Sequence, residues 1–280
     1  MKSIIFFIFF ATAVMANAKA PVWKISSGEG HYFYLAGSVH RLRETDKIPE
    51  AFYKAFKDSD FLVVEKLCDN KAKPRLLPDN EQLSDQLRPD MYKKLEEFID
   101  ENELRKTVQL DLKTLNPYLA MGMVCKALYQ NDGYKEEYGL EDIFKKKANR
   151  ENKDIRTLEQ CSHSAVVLGQ RRGYGENYVL NIIKSRCDLE KMPDFLVEWQ
   201  KGETGILTDL MVQDKKEDPE VYQVTVTERN ANWLPQLDEF LAKPKHAFIL
   251  VGYAHLIVPL SDSGLLESLR NRGYTVEQLD

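Results

Sequence analysis

Two apolar segments near opposite ends of the chain end in the same Gly-x-x-His pattern. Residues 32–37 lead to His40, and residues 248–252 lead to His255. Each apolar run has the length and the aromatic or β-branched content of a buried strand. A glycine at a strand end lets the backbone turn sharply where a Cβ atom would clash. The pattern therefore predicts two strands that deliver two imidazoles to one edge of a sheet.

A third strand is predicted between these two segments. Residues 61–64 form an apolar run that ends at Glu65. Before it, Pro49 suits the first turn of a helix, and apolar residues follow at helical spacing. A strand, a helix and a strand within about thirty residues predict a βαβ unit, whose strands are parallel. We therefore expect Glu65 on the strand next to the one that precedes His40, at the ligand-binding edge of the sheet.

The remaining pattern predicts the fold class. Helical segments dominate over about residues 74–241, with one long helix at residues 219–240 and a short strand at residues 154–159. The β pattern returns at residues 246–251 and again at residues 274–279, and a two-glycine turn predicts a hairpin of the first two strands. We expect an α/β (α+β) fold whose N- and C-terminal βα segments form a central β-sheet, with a large all-helical insertion.

The first residues have the composition of a secretory signal peptide. Lys2 is followed by an apolar run over residues 4–14 and by small residues that end at Ala18. This pattern predicts removal of residues 1–18, and a retained signal anchor is the alternative. Residues 19–280 then form a single domain of a bacterial protein that is periplasmic or secreted. No later segment is apolar enough for a membrane span, so none is expected after cleavage.

The charge balance excludes one class of partner. The chain has 39 Lys and Arg residues against 44 Asp and Glu residues, which makes a formal net charge of −5 at pH 7. A general nucleic-acid binder needs a strongly basic face to neutralise phosphates. The composition indicates no such face, so we expect no nucleic-acid partner.

Four cysteines bear on the predicted export: Cys68, Cys125, Cys161 and Cys187. In an oxidising compartment an even number permits two disulfides, with three ways of pairing. We favour a bond between Cys161 and Cys187 across a predicted helical hairpin. No Cys-x-x-Cys spacing occurs, so neither a thioredoxin-like site nor a zinc ribbon is indicated.

His40, Glu65 and His255 have the residue types of a metal site. Neutral imidazole is the commonest side-chain ligand of transition metals, and two histidines with one carboxylate leave positions for water and substrate. His163 is the alternative histidine, which we interpret as a capping or surface residue of a helix. Motifs of zincins, Gly-x-Ser-x-Gly hydrolases and phosphate-binding loops do not occur, and nothing indicates an oriented Ser-His-Asp set around Ser38.

Several short motifs occur in an order and spacing more specific than any one of them. They comprise residues 21–26, 34–40, 60–65, 139–144, 158–159, 228–230, 250–256 and 264–276. Together they resemble the TraB/GumN family, which includes the Tiki proteases that act on Wnt proteins. The resemblance covers nearly all of the predicted mature chain.

The resemblance implies a metal-dependent hydrolase, with a fold related to erythromycin-esterase-like and ChaN-like domains. In the Tiki branch, two Gly-x-x-His motifs and an acidic residue form the proposed protease centre, which depends on manganese or cobalt. Carried over to this chain, the ligands of the divalent metal are His40, Glu65 and His255. Zinc is an alternative metal, and a peptide or protein is the expected substrate.

Three further residues match family positions that face the same cleft. We expect Glu159 to act as the general base, Arg229 to stabilise an oxyanion and Asn230 to orient a ligand. Glu141 departs from the family, which usually has Asp at this position, and we expect it to lie away from the metal ligands.

Two other functions would use the same cleft. The first is a non-catalytic protein that binds and sequesters a peptide or a small ligand. The second is the handling of metal or haem iron, by analogy with ChaN-like folds, although the sequence offers no firm tyrosine ligand for haem iron. We favour the peptidase, in which a cation held by two histidines and a glutamate activates water.

Overall fold

The computed structural model describes most of the chain after the predicted signal peptide. The described residues are 19–67, 77, 81–108, 112–160, 167–168, 175–257 and 264–280. Cys68, Cys161 and His163 lie outside them, as does the predicted signal peptide. Within the described residues, no helix is long and apolar enough to cross a membrane.

Six strands of the described chain form one sheet, in the order β4-β3-β5-β2-β1-β6. They are β1 (Val22–Ser26), β2 (Tyr32–Ser38), β3 (Phe61–Val64), β4 (Ile155–Thr157), β5 (Ala247–Gly252) and β6 (Thr275–Gln278). The strands β4, β3, β5 and β2 are parallel, whereas β1 is antiparallel to both β2 and β6. The predicted α/β class and the hairpin of β1 and β2 are confirmed.

The strand β5 lies in the interior of the sheet between β3 and β2, which corrects the predicted strand order. The strand that ends at Glu65 is not adjacent to the strand that leads to His40, because β5 lies between them and pairs with both. All six residues of β5 are buried, as an interior strand of a parallel sheet requires. Ser38 lies opposite Gly252, so the two Gly-x-x-His turns are direct neighbours.

Helices occupy most of the chain between β3 and β5. The described helices are α1 (Glu50–Lys57), α2 (Leu83–Gln86), α3 (Pro89–Glu101), α4 (Pro117–Asn131), α5 (Leu140–Arg150), α6 (Gly175–Ser185), α7 (Met192–Gln200), α8 (Gly205–Glu217), α9 (Pro219–Tyr222), α10 (Glu228–Leu241), α11 (Tyr253–Leu256) and α12 (Leu265–Asn271). Short 3₁₀ turns lie at Leu104–Lys106, Leu112–Thr114, Glu136–Tyr138 and Arg186–Lys191. The strand β4 interrupts this helical block and joins the sheet beside β3.

The long helix predicted over residues 219–240 forms with one irregularity. After α9, a π-helical turn at Gln223–Thr227 leads directly into α10. Such a turn adds one residue to the helical repeat and rotates the side chains that follow it. It therefore affects the direction in which Arg229 and Asn230 leave the helix.

Two large apolar cores stabilise the fold. The first surrounds the sheet, where Phe52 and Phe56 of α1, Phe144 of α5 and Phe248 of β5 form one aromatic cluster. The second lies among α2, α3, α4 and α6. The helical block therefore contributes a core of its own beside the one that covers the sheet.

Cys187 is bonded to Cys125, so the predicted pairing of Cys187 with Cys161 is wrong. The two bonded residues have their Cα atoms 5.6 Å apart. Because α6 packs against α4, the end of α6 reaches Cys125 of α4. The backbone turns there through the left-handed region at Arg186, Cys187 and Asp188, with φ values of 50°, 58° and 54°.

Replacing both bonded cysteines with alanine will destabilise the fold. The disulfide joins residues with a sequence separation of 62, so the Cys125→Ala/Cys187→Ala variant should lose about 2–4 kcal/mol of unfolding free energy. Urea denaturation followed by circular dichroism measures this loss. Equal unfolding midpoints for the variant and the oxidised wild type would contradict the assigned bond.

Candidate active site

The C-terminal ends of β2, β5 and β3 lie side by side and carry predicted site residues. His40 follows β2, Glu65 follows β3, and His255 lies in α11, which begins directly after β5. In open α/β sheets, ligands bind outside this edge of the strands. The structure therefore brings the three predicted metal ligands to the same edge.

Gly252 borders the space that these three side chains surround. A Cβ atom at this position would lie 3.3 Å from Oε1 of Glu65 and 3.3 Å from Nε2 of His40. It would also lie 3.6 Å from Cδ2 of His255. The glycine therefore leaves room for a small group between two imidazoles and a carboxylate.

The glycine of the other Gly-x-x-His turn serves packing. A Cβ atom at Gly37 would overlap the ring of Tyr253, which follows β5 directly. The carbonyl of Gly37 accepts a hydrogen bond of 2.8 Å from the indole Nε1 of the buried Trp199. Gly37 thus lets the two turns approach each other, whereas Gly252 opens the space beside them.

Glu65 is buried and ionised. Its Oε1 accepts a hydrogen bond of 2.6 Å from the backbone N–H of Gly252, and its Oε2 accepts one of 2.5 Å from Nη2 of Arg229. Burial alone would raise the pKa of this carboxyl, but the Arg229 guanidinium holds that pKa well below its usual range. Glu65 is therefore a carboxylate with a fixed orientation.

Arg229 connects three buried side chains of the site, namely those of Glu65, Glu159 and His255. Its Nε and Nη2 donate to the carboxylate of Glu159 at 3.0 Å and 2.8 Å. Its Nη1 donates to the carbonyl of Thr225 at 3.1 Å and to Nε2 of His255 at 2.9 Å. Burial opposes the charge, but Glu65 and Glu159 raise the pKa of the guanidinium further above its ordinary value. Arg229 is therefore a permanent cation whose three nitrogens all donate.

His255 is neutral and has a defined tautomer. Because arginine only donates, Nε2 of His255 accepts the hydrogen bond from Arg229 and carries no proton. Its Nδ1 then carries the proton and donates to Oδ1 of Asn230 at 2.7 Å. Asn230 donates in return from Nδ2 to the His255 carbonyl at 3.1 Å. Burial lowers the pKa of the imidazole to about 3.

His40 is in the opposite charge state. Its Nδ1 lies 2.8 Å from Oε1 of Glu141, and this carboxylate raises the pKa of the imidazole to about 9. Ser38 donates its hydroxyl proton to the same carboxylate. The His40 side chain is 56% exposed and lines a cleft of about 570 Å³, while its Nε2 lies beside Gly252.

Glu141 is a site residue that sequence reasoning missed. The expectation that it lies away from the metal ligands is wrong, since it contacts His40. Glu141 lies in the first turn of α5, and the preceding Gly139 packs so closely on the His40 carbonyl that a Cβ atom would overlap it. The N–H of Leu140 also bonds to the carbonyl of Val39 at 3.2 Å. The sequence signal that could have indicated Glu141 is an acidic residue in the first turn of a helix that begins directly after a glycine.

The predicted ligands have the chemistry that a divalent cation needs. His40 and His255 each engage Nδ1 with an oxygen atom, which leaves Nε2 for a cation. Such oxygen partners orient imidazole ligands, and nitrogen and carboxylate donors suit manganese, cobalt or zinc. The Nε2 of His255 lies 3.9 Å from Oε1 of Glu65. The donor types therefore fit the predicted metal.

Arg229 occupies two of these donors in the present arrangement. It bonds to Oε2 of Glu65 and to Nε2 of His255. Across the described residues, no group of three His, Cys, Asp or Glu side chains is arranged to hold a metal ion. A cation would have to displace the Arg229 N–H from His255. The ligand set of His40, Glu65 and His255 stays a prediction.

Glu159 lies behind the site. Both of its carboxylate oxygens accept hydrogen bonds from Arg229, and its backbone N–H bonds to the carbonyl of Glu65 at 2.9 Å. This placement makes Glu159 a positioning residue for Arg229. The roles of Glu159 as general base and of Arg229 as oxyanion stabiliser stay predictions.

The fold and the site define an α/β protein with a charged candidate active site at the C-terminal edge of its parallel strands. The chain belongs to the TraB/PrgY/gumN family, since the model of this family matches residues 21–278. The resemblance indicated by the ordered motifs is thereby confirmed. Neither a curated protein nor a solved structure matches the chain.

Removing the Arg229 cation will destabilise the protein strongly. The Arg229→Met variant leaves Glu65 and Glu159 buried without a counter-ion, so the free energy of unfolding should fall by about 3–5 kcal/mol. Arg272→Met is the control, because it breaks an exposed ion pair with Asp238 and should cost less than about 1 kcal/mol. Urea denaturation measures the unfolding free energy of both variants. Equal losses would show that the buried network contributes no more to stability than the exposed ion pair.

Proposed function

We propose that this protein is a metal-dependent hydrolase, specifically a peptidase, whose reaction centre lies beside Gly252. The observation that carries the proposal is the arrangement of His40, Glu65 and His255 around that glycine. The cleft in front of His40 is polar, and its volume of about 570 Å³ is sufficient for a peptide segment. The resemblance of the ordered motifs to those of the Tiki proteases supports a peptide as the substrate.

In this proposal, His40, Glu65 and His255 hold the divalent cation. A bound cation lowers the pKa of a water molecule and polarises the carbonyl of the bond to be cleaved. Asn230 keeps the proton of His255 on Nδ1, and Glu141 keeps the His40 ring oriented. Arg229, released from His255, would remain bound to Glu159 and provide positive charge at the centre.

A metal-free hydrolase is the second candidate. It is favoured by one observation: His40 is paired with Glu141 through Nδ1, while its ring is open to the cleft. A histidine backed by a carboxylate is a common general acid–base arrangement. Here His40 would exchange protons with substrate and water, and Arg229 would keep its present contacts.

We also propose that the protein functions outside the cytoplasm, in the periplasm or as a secreted protein. The bond between Cys125 and Cys187 supports this location, because disulfides persist mainly in oxidising compartments. The signal-peptide pattern of residues 1–18 supports it as well.

Metal analysis and peptide turnover test the main proposal together. The wild type should contain a transition metal and cleave peptides, and chelation should abolish turnover. His40→Ala and Glu65→Gln should each lower kcat/KM by about 100-fold or more. Mass spectrometry of the metal content and a fluorogenic peptide library provide the measurements.

Three other outcomes have defined meanings. Turnover that survives chelation but is lost in Glu141→Gln would identify the metal-free hydrolase. Binding of peptides without turnover would identify the sequestering function. Equal turnover in the wild type, His40→Ala and Glu65→Gln would refute both catalytic assignments.

A methyl group at Gly252 will block the centre and preserve the fold. The φ angle of Gly252 is −51°, which alanine also adopts, and the new Cβ would occupy the space between the predicted ligands. We expect Gly252→Ala to lower kcat/KM by about 100-fold, with an unchanged circular dichroism spectrum. Gly122→Ala in α4 is the control, because its Cβ would meet nothing within 4 Å. Full activity in Gly252→Ala would place the reaction elsewhere.

A further inference from the structure

The cleft in front of His40 is lined by several acidic side chains that are already neutralised. Each has a cationic partner within 3.5 Å: Glu65 with Arg229, Glu136 with Lys126 and Arg41, Glu137 with Lys135, Glu141 with His40, and Asp142 with Lys146. Their negative charges are therefore compensated within the protein. They leave little net attraction for a positively charged ligand.

Two lysines that line the same cleft have no such partner among the residues that the structure describes. The side chains of Lys66 and Lys145 form no ion pair and no hydrogen bond with any described residue. Lys145 lies four residues after Glu141 in α5, which places both on one face of the helix. Lys66 directly follows Glu65 at the end of β3. The two ammonium groups thus add positive charge to the cleft that His40 lines, from two different elements.

We propose that Lys66 and Lys145 form a subsite for a carboxylate, so that the substrates are peptides with an acidic group near the cleaved bond. This inference rests on the proposed hydrolase function. An ammonium group is a compact charge that attracts a carboxylate without a fixed bidentate geometry. The formal net charge of the chain is −5, so the positive charge that these two lysines add to the cleft is a local feature. It would steer acidic peptides toward His40.

A carboxylate can come from the C-terminus of a peptide or from an acidic side chain. Four versions of one fluorescent peptide separate these sources: they combine a free or amidated C-terminus with Glu or Gln at one internal position. At about 0.05 M salt, where screening is weak, we expect at least one carboxylate-bearing version to have a kcat/KM about tenfold above the doubly neutral peptide. The version that shows the preference identifies the source.

Lysine variants test whether the subsite causes this preference. Lys66→Met and Lys145→Met should each reduce the preference about threefold, and the double variant should remove it. Lys147→Met is the matched control, because Lys147 is on the same helix but is paired with Glu151, which lies outside the residues that line the cleft. It should leave the preference unchanged. Fluorescence anisotropy on the same peptides measures their affinity independently of turnover.

The outcomes separate the subsite from the hydrolase proposal. Equal kcat/KM for all four peptides, or a preference that persists in the double variant, overturns the subsite. Lysine-dependent binding of acidic peptides without any cleavage supports the subsite and refutes the hydrolase. Absence of both binding and cleavage for all four peptides overturns the subsite as well.

Discussion

The hydrogen bonds of the Arg229 guanidinium hold the candidate active site together. They join Glu65 after β3, Glu159 after β4 and His255 after β5 to one side chain of α10. Burying two carboxylates is expensive unless a counter-ion and hydrogen bonds compensate for the lost water. The planar guanidinium supplies donors in several directions, which the compact ammonium of lysine cannot do in the same geometry. The edge of the sheet can therefore close around two acids because one cation serves both.

The π-helical turn before α10 belongs to the same network. The carbonyl of Thr225 within this turn accepts a hydrogen bond from Nη1 of Arg229, four residues later. Wide turns of this kind are rare in helices and occur frequently at functional sites, where the altered repeat redirects side chains. Arg229 thus bonds to the turn that positions it. The irregularity also sets Asn230 against the backbone and the ring of His255.

The sequence predicted the strand ends of this site but not their order. A buried strand followed by a glycine or a carboxylate is a local pattern, so His40, Glu65 and His255 could be assigned to one edge in advance. The insertion of β5 between β2 and β3 depends on pairing between distant segments, for which local patterns carry no signal. The hydrogen bond from Ser38 to Glu141 likewise depends on tertiary packing, since the two residues are 103 positions apart in the chain. The pairing of Cys187 with Cys125 also depends on the packing of two helices, which local sequence patterns do not indicate.

The two Gly-x-x-His turns are alike in sequence but hold their histidines in opposite charge states. Burial keeps His255 neutral, whereas the Glu141 carboxylate favours the protonated form of His40. An imidazole that binds a metal must be neutral, so a cation at the proposed site would have to release the proton of His40 and displace Arg229 from His255. Magnesium and calcium prefer oxygen ligands, whereas transition metals bind imidazole well. In the proposed metal site, a cation that gains enough from imidazole ligation to displace Arg229 would therefore be a transition metal rather than magnesium or calcium.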